Sequence, residues 1–243
     1  MKFYNDKHVY GNVSMAYLGT LEDVYLNPTY RSAPRGFPIR EKIDYMFHVE
    51  YPTADPIKTA DRERNIVIAD YTAKEVALYN SGTNRVEDFE KASKFWRQIA
   101  NVDGTINSAY GFLIWHNRSC GGDMTPWEWA KQSLLSDKDS RQAFMRFSLP
   151  QHQYVGNKDQ TCTMHANFLI REDKLNLTVT MRSNDLWLGL TYDLPWFCSL
   201  ADRMVGELKL TYPTLTKGTY THIAHSAHIY ERDLAKIEKA LGL

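Results

Sequence analysis

Residues 162–185, Cys162-Thr163-Met164-His165-Ala166-Asn167-Phe168-Leu169-Ile170-Arg171-Glu172-Asp173-Lys174-Leu175-Asn176-Leu177-Thr178-Val179-Thr180-Met181-Arg182-Ser183-Asn184-Asp185, read as the two arms of one hairpin. The first arm is a strand to about Ile170, and Glu172-Asp173-Lys174 is the turn. In the second arm Leu175, Leu177, Val179 and Met181 share one face, the period-two pattern of a half-buried strand. Folding back in this way brings Cys162 and Arg182 to the same end, with a thiol within reach of a guanidinium. A thiolate attacks far better than a thiol, and a fixed positive charge beside the sulfur raises the thiolate fraction. Cys162 is therefore the candidate nucleophile.

Outward from the hairpin, Ile43, Tyr45, Phe47 and Val49 alternate with less apolar partners and predict a strand over 43–49. The basic run Tyr30-Arg31-Ser32-Ala33-Pro34-Arg35-Gly36 before it reads as a loop. Residues 70–79 and 87–100 read as helices. Thr125-Pro126-Trp127-Glu128 is a capping box with proline at the first helical position, and it opens a third helix. Arg141 to Phe147 reads as a strand, Leu194 to Leu208 as a core helix, and Glu231 to Leu241 as an amphipathic terminal helix. Strands and helices mixed without β-α-β alternation indicate an α+β fold. With no linker, repeat or low-complexity tract, 1–243 reads as a single domain.

A chain of 243 residues that is 43% hydrophobic and 13% aromatic can bury one sizeable core. Lys plus Arg equals Asp plus Glu at 29 each, so there is no broad polyanion footprint, and stable nucleic-acid binding is not expected. A local basic pocket for one phosphate is compatible with that balance. The N-terminus, MKFYNDKHVYGN, has no apolar signal core, and no stretch approaches the roughly 18 apolar residues of a membrane span. A soluble, cytoplasmic protein is expected. Cys120, Cys162 and Cys198 are too widely spaced for a disulfide framework or paired zinc ligands, which leaves reduced thiols. His222, His225 and His228 lack an accompanying Cys or carboxylate cluster, so no metal is expected. Cys120 reads as a loop thiol, and Cys198, Trp127 and Trp129 as packing residues.

Arg182-Ser183-Asn184-Asp185, then Leu188-Gly189-Leu190 and Asp193, then Ser226-Ala227-His228-Ile229-Tyr230, resemble the thymidylate synthase superfamily, with Cys162 at the nucleophile position. Upstream, Trp96, Asn107-Ser108-Ala109-Tyr110-Gly111 and Asp139-Ser140-Arg141 also resemble family landmarks. Cys162-Thr163 and Met181-Arg182-Ser183-Asn184-Asp185 look most like the phage-type deoxycytidylate hydroxymethylase branch, which implies a phage or a modified-nucleoside pathway. The resemblance implies a mixed sheet packed with helices, a homodimer formed through the sheet, and methylenetetrahydrofolate as co-substrate. It also implies the chemistry. A pyrimidine C5 is a poor nucleophile until Cys162 adds to C6; C5 then attacks the one-carbon unit, and hydride or water decides between a methyl and a hydroxymethyl product.

By the same resemblance Arg182 contacts the substrate phosphate and the thiolate. Ser183 and Asn184 belong to the substrate site, and His228 and Tyr230 hold the sugar hydroxyl. Arg35 is a further phosphate candidate, since planar guanidinium donors suit a dianion. Arg141 matches the first of an Arg-Arg pair that the family sends into the partner's site, but Gln142 replaces the second. Glu75 aligns with the family's catalytic, water-organising glutamate, whereas its spacing alone reads as a solvated helical residue. Tyr110 either assists proton removal at C5 or is an ordinary core tyrosine. Trp96, Asp185, Leu188, Gly189 and Tyr192 match the pterin pocket, with a buried structural aspartate as the other reading of Asp185.

Asp193 departs from the asparagine with which synthases read uracil. Cytosine presents an amino donor at C4 and an acceptor at N3, so a carboxyl can accept from the first and, when protonated, donate to the second. A site built for one pattern rejects the other by up to roughly ten-thousandfold. A cytidylate is therefore the expected substrate, although Asp193 also suits the cap of a helix beginning at Leu194-Pro195. Thr163 stands where synthases carry histidine, in agreement with the hydroxymethylase branch. The chain ends at Leu243, soon after Tyr230, which by resemblance leaves out a closing segment and favours water at the last step. Deoxycytidylate hydroxymethylation is the expected activity. The alternatives are C5 methylation of dCMP or dUMP, hydroxymethylation of dUMP, and a nucleotide- or RNA-binding regulator on the same fold.

Overall fold

The computed structural model describes residues 8–243, so most of the polar N-terminal stretch lies outside the described residues. Eight strands form one mixed sheet: β1 (Val9–Tyr10), β2 (Tyr30–Ser32), β3 (Ile39–Val49), β4 (Phe144–Arg146), β5 (Thr163–Arg171), β6 (Lys174–Met181), β7 (Asn184–Asp185) and β8 (Thr216–Tyr230). The spatial order is β1-β3-β8-β6-β5-β4, with β2 on β3 and β7 on β8. Among the described residues eight α-helices accompany it: α1 (Val13–Leu26), α2 (Arg62–Ser81), α3 (Val86–Phe89), α4 (Phe95–Ile99), α5 (Tyr110–Trp115), α6 (Pro126–Ser136), α7 (Gly189–Leu208) and α8 (Leu234–Leu241). The fold is α+β, as expected.

The β5–β6 hairpin forms as the sequence predicts, with Arg171 paired to Lys174 across Glu172 and Asp173. Both turn residues have positive φ (50° and 55°), the requirement of a two-residue turn whose twist matches the strands. The capping box of α6 is complete, Thr125 Oγ1 accepting from Glu128 N and Glu128 returning to Thr125 N. One sheet face packs on α1 and α7, where Tyr45, Phe47, Ala166, Phe168, Leu177, Val179 and Tyr220 are buried. Met46 and Phe144, which alternate with buried neighbours, expose apolar surface on the opposite face.

Several expectations need correction. Tyr30–Ser32 is an edge strand and not loop, because its backbone pairs with Ile39–Glu41 of β3. The helix expected over 87–100 is two short helices, broken after Phe89. The strand near 141–147 is confined to Phe144–Arg146. Helix α7 begins at Gly189, so Asp193 lies inside it with Pro195 and does not cap it.

Strand β8, for which no expectation was formed, is the longest in the sheet and the one that reaches the site. Its fully buried positions switch from Tyr220, His222 and Ala224 to Ala227 and Ile229. At the switch Asp44 of β3 takes φ 51° and accepts from His225 Nδ1 at 2.7 Å. His222 instead stacks on Phe47 in the core, its imidazole pushed down to about 3 by burial. The three histidines therefore do not converge, and no cluster among the described residues could hold a metal ion. No described helix is long and apolar enough to cross a membrane, and all three cysteines are free.

Candidate active site

The hairpin closes at Cys162, whose carbonyl accepts from Arg182 N at 2.9 Å. The Arg182 guanidinium is tied back by the carbonyls of Thr161 (3.1 Å) and Gln160 (2.6 Å), which aims Nη2 at Cys162 Sγ, 3.7 Å away. Those two acceptors hold an otherwise exposed side chain in one geometry. Burial pushes the thiol up, and the positive charge of Arg182 offsets part of that shift; Asp193, Asp159 and Asp185 add to it. The sequence argument that arginine alone activates the thiol is thus incomplete. Enclosure of the sulfur outweighs it in the free protein.

Helix α2 brings the second group. Glu75 lies on its inward face between Tyr71 and Tyr79, one turn to either side, and is only 8% exposed. The solvated-glutamate reading is therefore wrong. Burial pushes its carboxyl up to about 8, helped by the negative charge of Asp193 and opposed by hydrogen bonds from Tyr71 and Tyr79. Helix α5 delivers Tyr110 beside this group. Gly111 allows it, since a Cβ there would sit 1.7 Å from the Tyr79 carbonyl oxygen. Tyr110 stacks on Tyr79 at 5.3 Å, and its hydroxyl faces Thr163 N at 3.4 Å, one residue from Cys162.

Asp193 meets this group from α7. Its Oδ2 accepts from Asn184 Nδ2 at 2.9 Å, and burial raises the carboxyl to about 7 despite that bond. The residue is partly exposed although many atoms surround it. Strand β7 fixes Asn184 and Asp185 by pairing them with Ala227 and His228 of β8. Asp185 Oδ1 accepts from Trp187 N (2.9 Å) and Leu188 N (3.2 Å), so it shapes the turn into α7. Burial also raises its carboxyl, against the pull of His228. His228 and Tyr230 stand together on β8, rings 5.4 Å apart.

An aromatic wall flanks the acids. Trp96 Nε1 donates to Tyr71 OH at 3.1 Å, and Tyr71 meets Tyr192 at 4.5 Å between ring centroids. Arg64 lies over the Trp187 ring at 4.4 Å and donates to the Trp187 carbonyl at 3.1 Å. Planar, electron-rich surfaces beside a raised carboxyl suit a pterin, which offers a flat ring and ring N–H groups. Leu188 and Gly189 border this wall at the start of α7.

The structure thus links Cys162, Arg182, Glu75, Tyr110, Asn184, Asp185, Asp193, His228, Tyr230, Trp96 and Tyr192 through one network of contacts and charges, with Ser183 between Arg182 and Asn184 in the chain. Arg35 and Arg141 stand apart, exposed and without a hydrogen bond or ion pair among the described residues. Sequence reasoning missed Tyr71, Tyr79, Arg64 and Trp187. The first two were readable, because Tyr71, Glu75 and Tyr79 repeat every four residues on one helix face.

A cysteine–arginine pair at the hairpin end of the sheet with buried carboxyls opposite suits thiolate addition and proton transfer at one place, and comparison with known proteins identifies the class as a thymidylate synthase-like pyrimidine C5 one-carbon transferase. The thymidylate synthase family model matches residues 15–242, and the chain belongs to that family. The deoxycytidylate 5-hydroxymethyltransferase of Enterobacteria phage T6 is 32% identical over 170 residues, 67% of this chain and 68% of that protein. The thymidylate synthase of Bacillus atrophaeus is 26% identical over 164 residues, 66% of this chain and 70% of its own. Among solved structures, the thermostable thymidylate synthase A from Bacillus subtilis superposes with a TM-score of 0.72 at 19% identity, covering 95% of this chain and 84% of that one. Methylenetetrahydrofolate is the co-substrate of this family, as expected from the sequence.

Proposed function

We propose that the protein hydroxymethylates deoxycytidylate: dCMP, methylenetetrahydrofolate and water give 5-hydroxymethyl-dCMP and tetrahydrofolate. The observation that carries this reading is Asp193, a carboxyl raised to about 7 in the cleft. Near neutral pH such a group is half protonated, so it can donate to cytosine N3 and accept from the C4 amine. Similarity to the phage T6 hydroxymethyltransferase supports the same base.

Arg182 and Ser183 bind the phosphate, with Arg35 and, across a sheet-mediated homodimer, the partner's copy of Arg141 as further cations. His228 and Tyr230 hold the sugar, and Asn184 braces Asp193 at the base. Phosphate charge beside Arg182 and desolvation on binding tune the Cys162 thiol, which adds to C6 and moves electron density to C5. The folate, held against Trp96, Asp185, Leu188, Gly189 and Tyr192, supplies the one-carbon unit when bound. Tyr110, whose hydroxyl burial keeps protonated, orders the water that takes the C5 proton. Glu75, whose carboxyl burial raises to about 8, holds the water that becomes the hydroxymethyl oxygen and, in its ionised form, accepts the proton that water gives up. Expulsion of Cys162 from C6 restores the ring.

The test is incubation of the protein with dCMP, dUMP and CMP separately plus methylenetetrahydrofolate, with products read by mass. A gain of CH2O on dCMP alone is expected. A gain of CH2, with dihydrofolate absorbance, would make the protein a methylating enzyme like the synthases it also resembles. A product from dUMP would overturn the assignment of cytosine, and no product from any nucleotide would leave a binding protein.

A further inference from the structure

Asn184 is 2% exposed, pinned by β7–β8 pairing, and among the described residues its only side-chain hydrogen bond is the donation to Asp193 Oδ2. Its own Oδ1 is buried with no partner among the described residues, an arrangement that costs free energy and needs a compensating role. The pair also needs the empty space at Gly189. A Cβ there would come within 3.1 Å of Asn184 Nδ2 and 3.3 Å of Asp193 Oδ2. The third residue of the group is therefore small for a steric reason, since Gly189 lies in the helix with ordinary backbone angles.

An amide N–H fixed on Oδ2 does two things to a carboxyl. It sets the rotamer, and it makes Oδ2 the poorer site for a proton, because a proton there would compete with the donated hydrogen. A proton held by Asp193 then sits on Oδ1, which bonds no described residue. We propose that Asn184 is the positioning residue for base selection: by occupying Oδ2 it makes Oδ1 the proton-bearing oxygen that meets cytosine N3, so that base preference belongs to the Asn184–Asp193 pair and not to position 193 alone. This rests on reading Asp193 as the group that meets the base.

The test compares dCMP and dUMP binding by calorimetry in the wild type, Asn184→Leu, Asp193→Asn and the double variant. Leucine keeps the volume and removes the donor. Asn184→Leu is expected to weaken dCMP about tenfold or more and dUMP less than about threefold, and to change neither by more than about threefold once Asp193→Asn is present. Gly189→Ala, which presses on the same bond from outside, should lower dCMP preference in the same direction and keeps the test alive if Asn184→Leu does not fold. The pH profile separates positioning from structural damage. The titratable groups around Asp193 are Glu75 and Tyr79 of α2, Tyr110 of α5, Cys162, Asp185 of β7 and Tyr220 of β8. None of them changes in Asn184→Leu, so loss of the donor should carry the pH at which dCMP binding falls off upward. Equal losses for both bases in both backgrounds, or an unmoved pH profile, would overturn the role of Asn184. If Asp193→Asn leaves the base preference unchanged, or the wild type binds neither nucleotide, the underlying reading of Asp193 fails and this proposal with it.

Discussion

On the proposed reading the rim of the site is Arg182, exposed and steadied by two carbonyl oxygens, with Arg35 and Arg141 exposed and apart from it, whereas on the floor Glu75 and Asn184 are 8% and 2% exposed and burial raises the carboxyls of Glu75 and Asp193. Water screens charge at the rim, so each cation there contributes modestly and in proportion to low salt. Burial on the floor turns carboxyls into groups that titrate near neutrality, where a hydrogen bond gained or lost decides which base fits. On the proposed reading, capture and chemistry fall in different dielectric environments, and Cys162 lies between Arg182 and Asp193.

The sharpest break of this comparison is at the junction. Replacing the thiol by Cys162→Ala should abolish turnover, by roughly ten-thousandfold or more, while nucleotide binding stays within about threefold, because the thiol serves the reaction and the rim serves binding. Mass spectrometry of the protein with substrate and folate should lose any covalent adduct. Retained turnover would remove Cys162 from the mechanism.

Next in size is the floor's base reader. Asp193→Asn exchanges a carboxyl that both accepts and donates for an amide whose donor and acceptor suit uracil, and should move the ratio of kcat/KM for dCMP over dUMP by about a hundredfold toward dUMP. Competition between the two nucleotides in one tube gives that ratio directly. An unchanged ratio would mean that selection happens elsewhere in the cleft.

Glu75 tests the floor by stability. An acid whose folded value lies near 8 against the usual 4.5 is protonated more in the native state than in the unfolded one. Its stabilising contribution is complete below about pH 4.5 and lost as pH rises through about 8, so the native state weakens across that window. Glu75→Gln removes the titration. Thermal midpoints of the variant should match or trail the wild type at pH 5 and gain on it by roughly 5 °C at pH 8.5. Parallel midpoints at both pH values would place Glu75 in water, contrary to its burial.

The same contrast explains what could be read from the chain. The hairpin was legible because alternation is strict from Leu175 to Met181 and a polar two-residue turn divides the arms. The candidate site residues came from the resemblance, as runs such as Arg182 to Asp185, and the structure brings most of them into contact with one another. Strand β8 was not, because its buried set slips by one residue at the Asp44–His225 kink and its histidines look like a ligand series. The start of α7 was hidden by Gly189 and Pro195, which local propensity marks as breakers and tertiary packing overrides. The buried state of Glu75 depends on α5 and α7 closing over it, contacts that no local window contains.

The smallest expected effect belongs to the rim. Arg35 sits in the turn before β3, close to Tyr230 through Phe37, whose ring lies 6.4 Å from that of Tyr230. It holds φ 56° followed by Gly36 at 82°, a left-handed pair at an exposed turn. Removing it by Arg35→Ala should raise KM for the nucleotide about threefold at low salt, leave kcat unchanged, and lose its effect as ionic strength approaches 0.5 M, where the screening length falls to roughly 4 Å. A fall in kcat that persists at high salt would show that Arg35 acts within the dry part of the cleft, and the division between a screened rim and a proton-bearing floor would have to be redrawn around it.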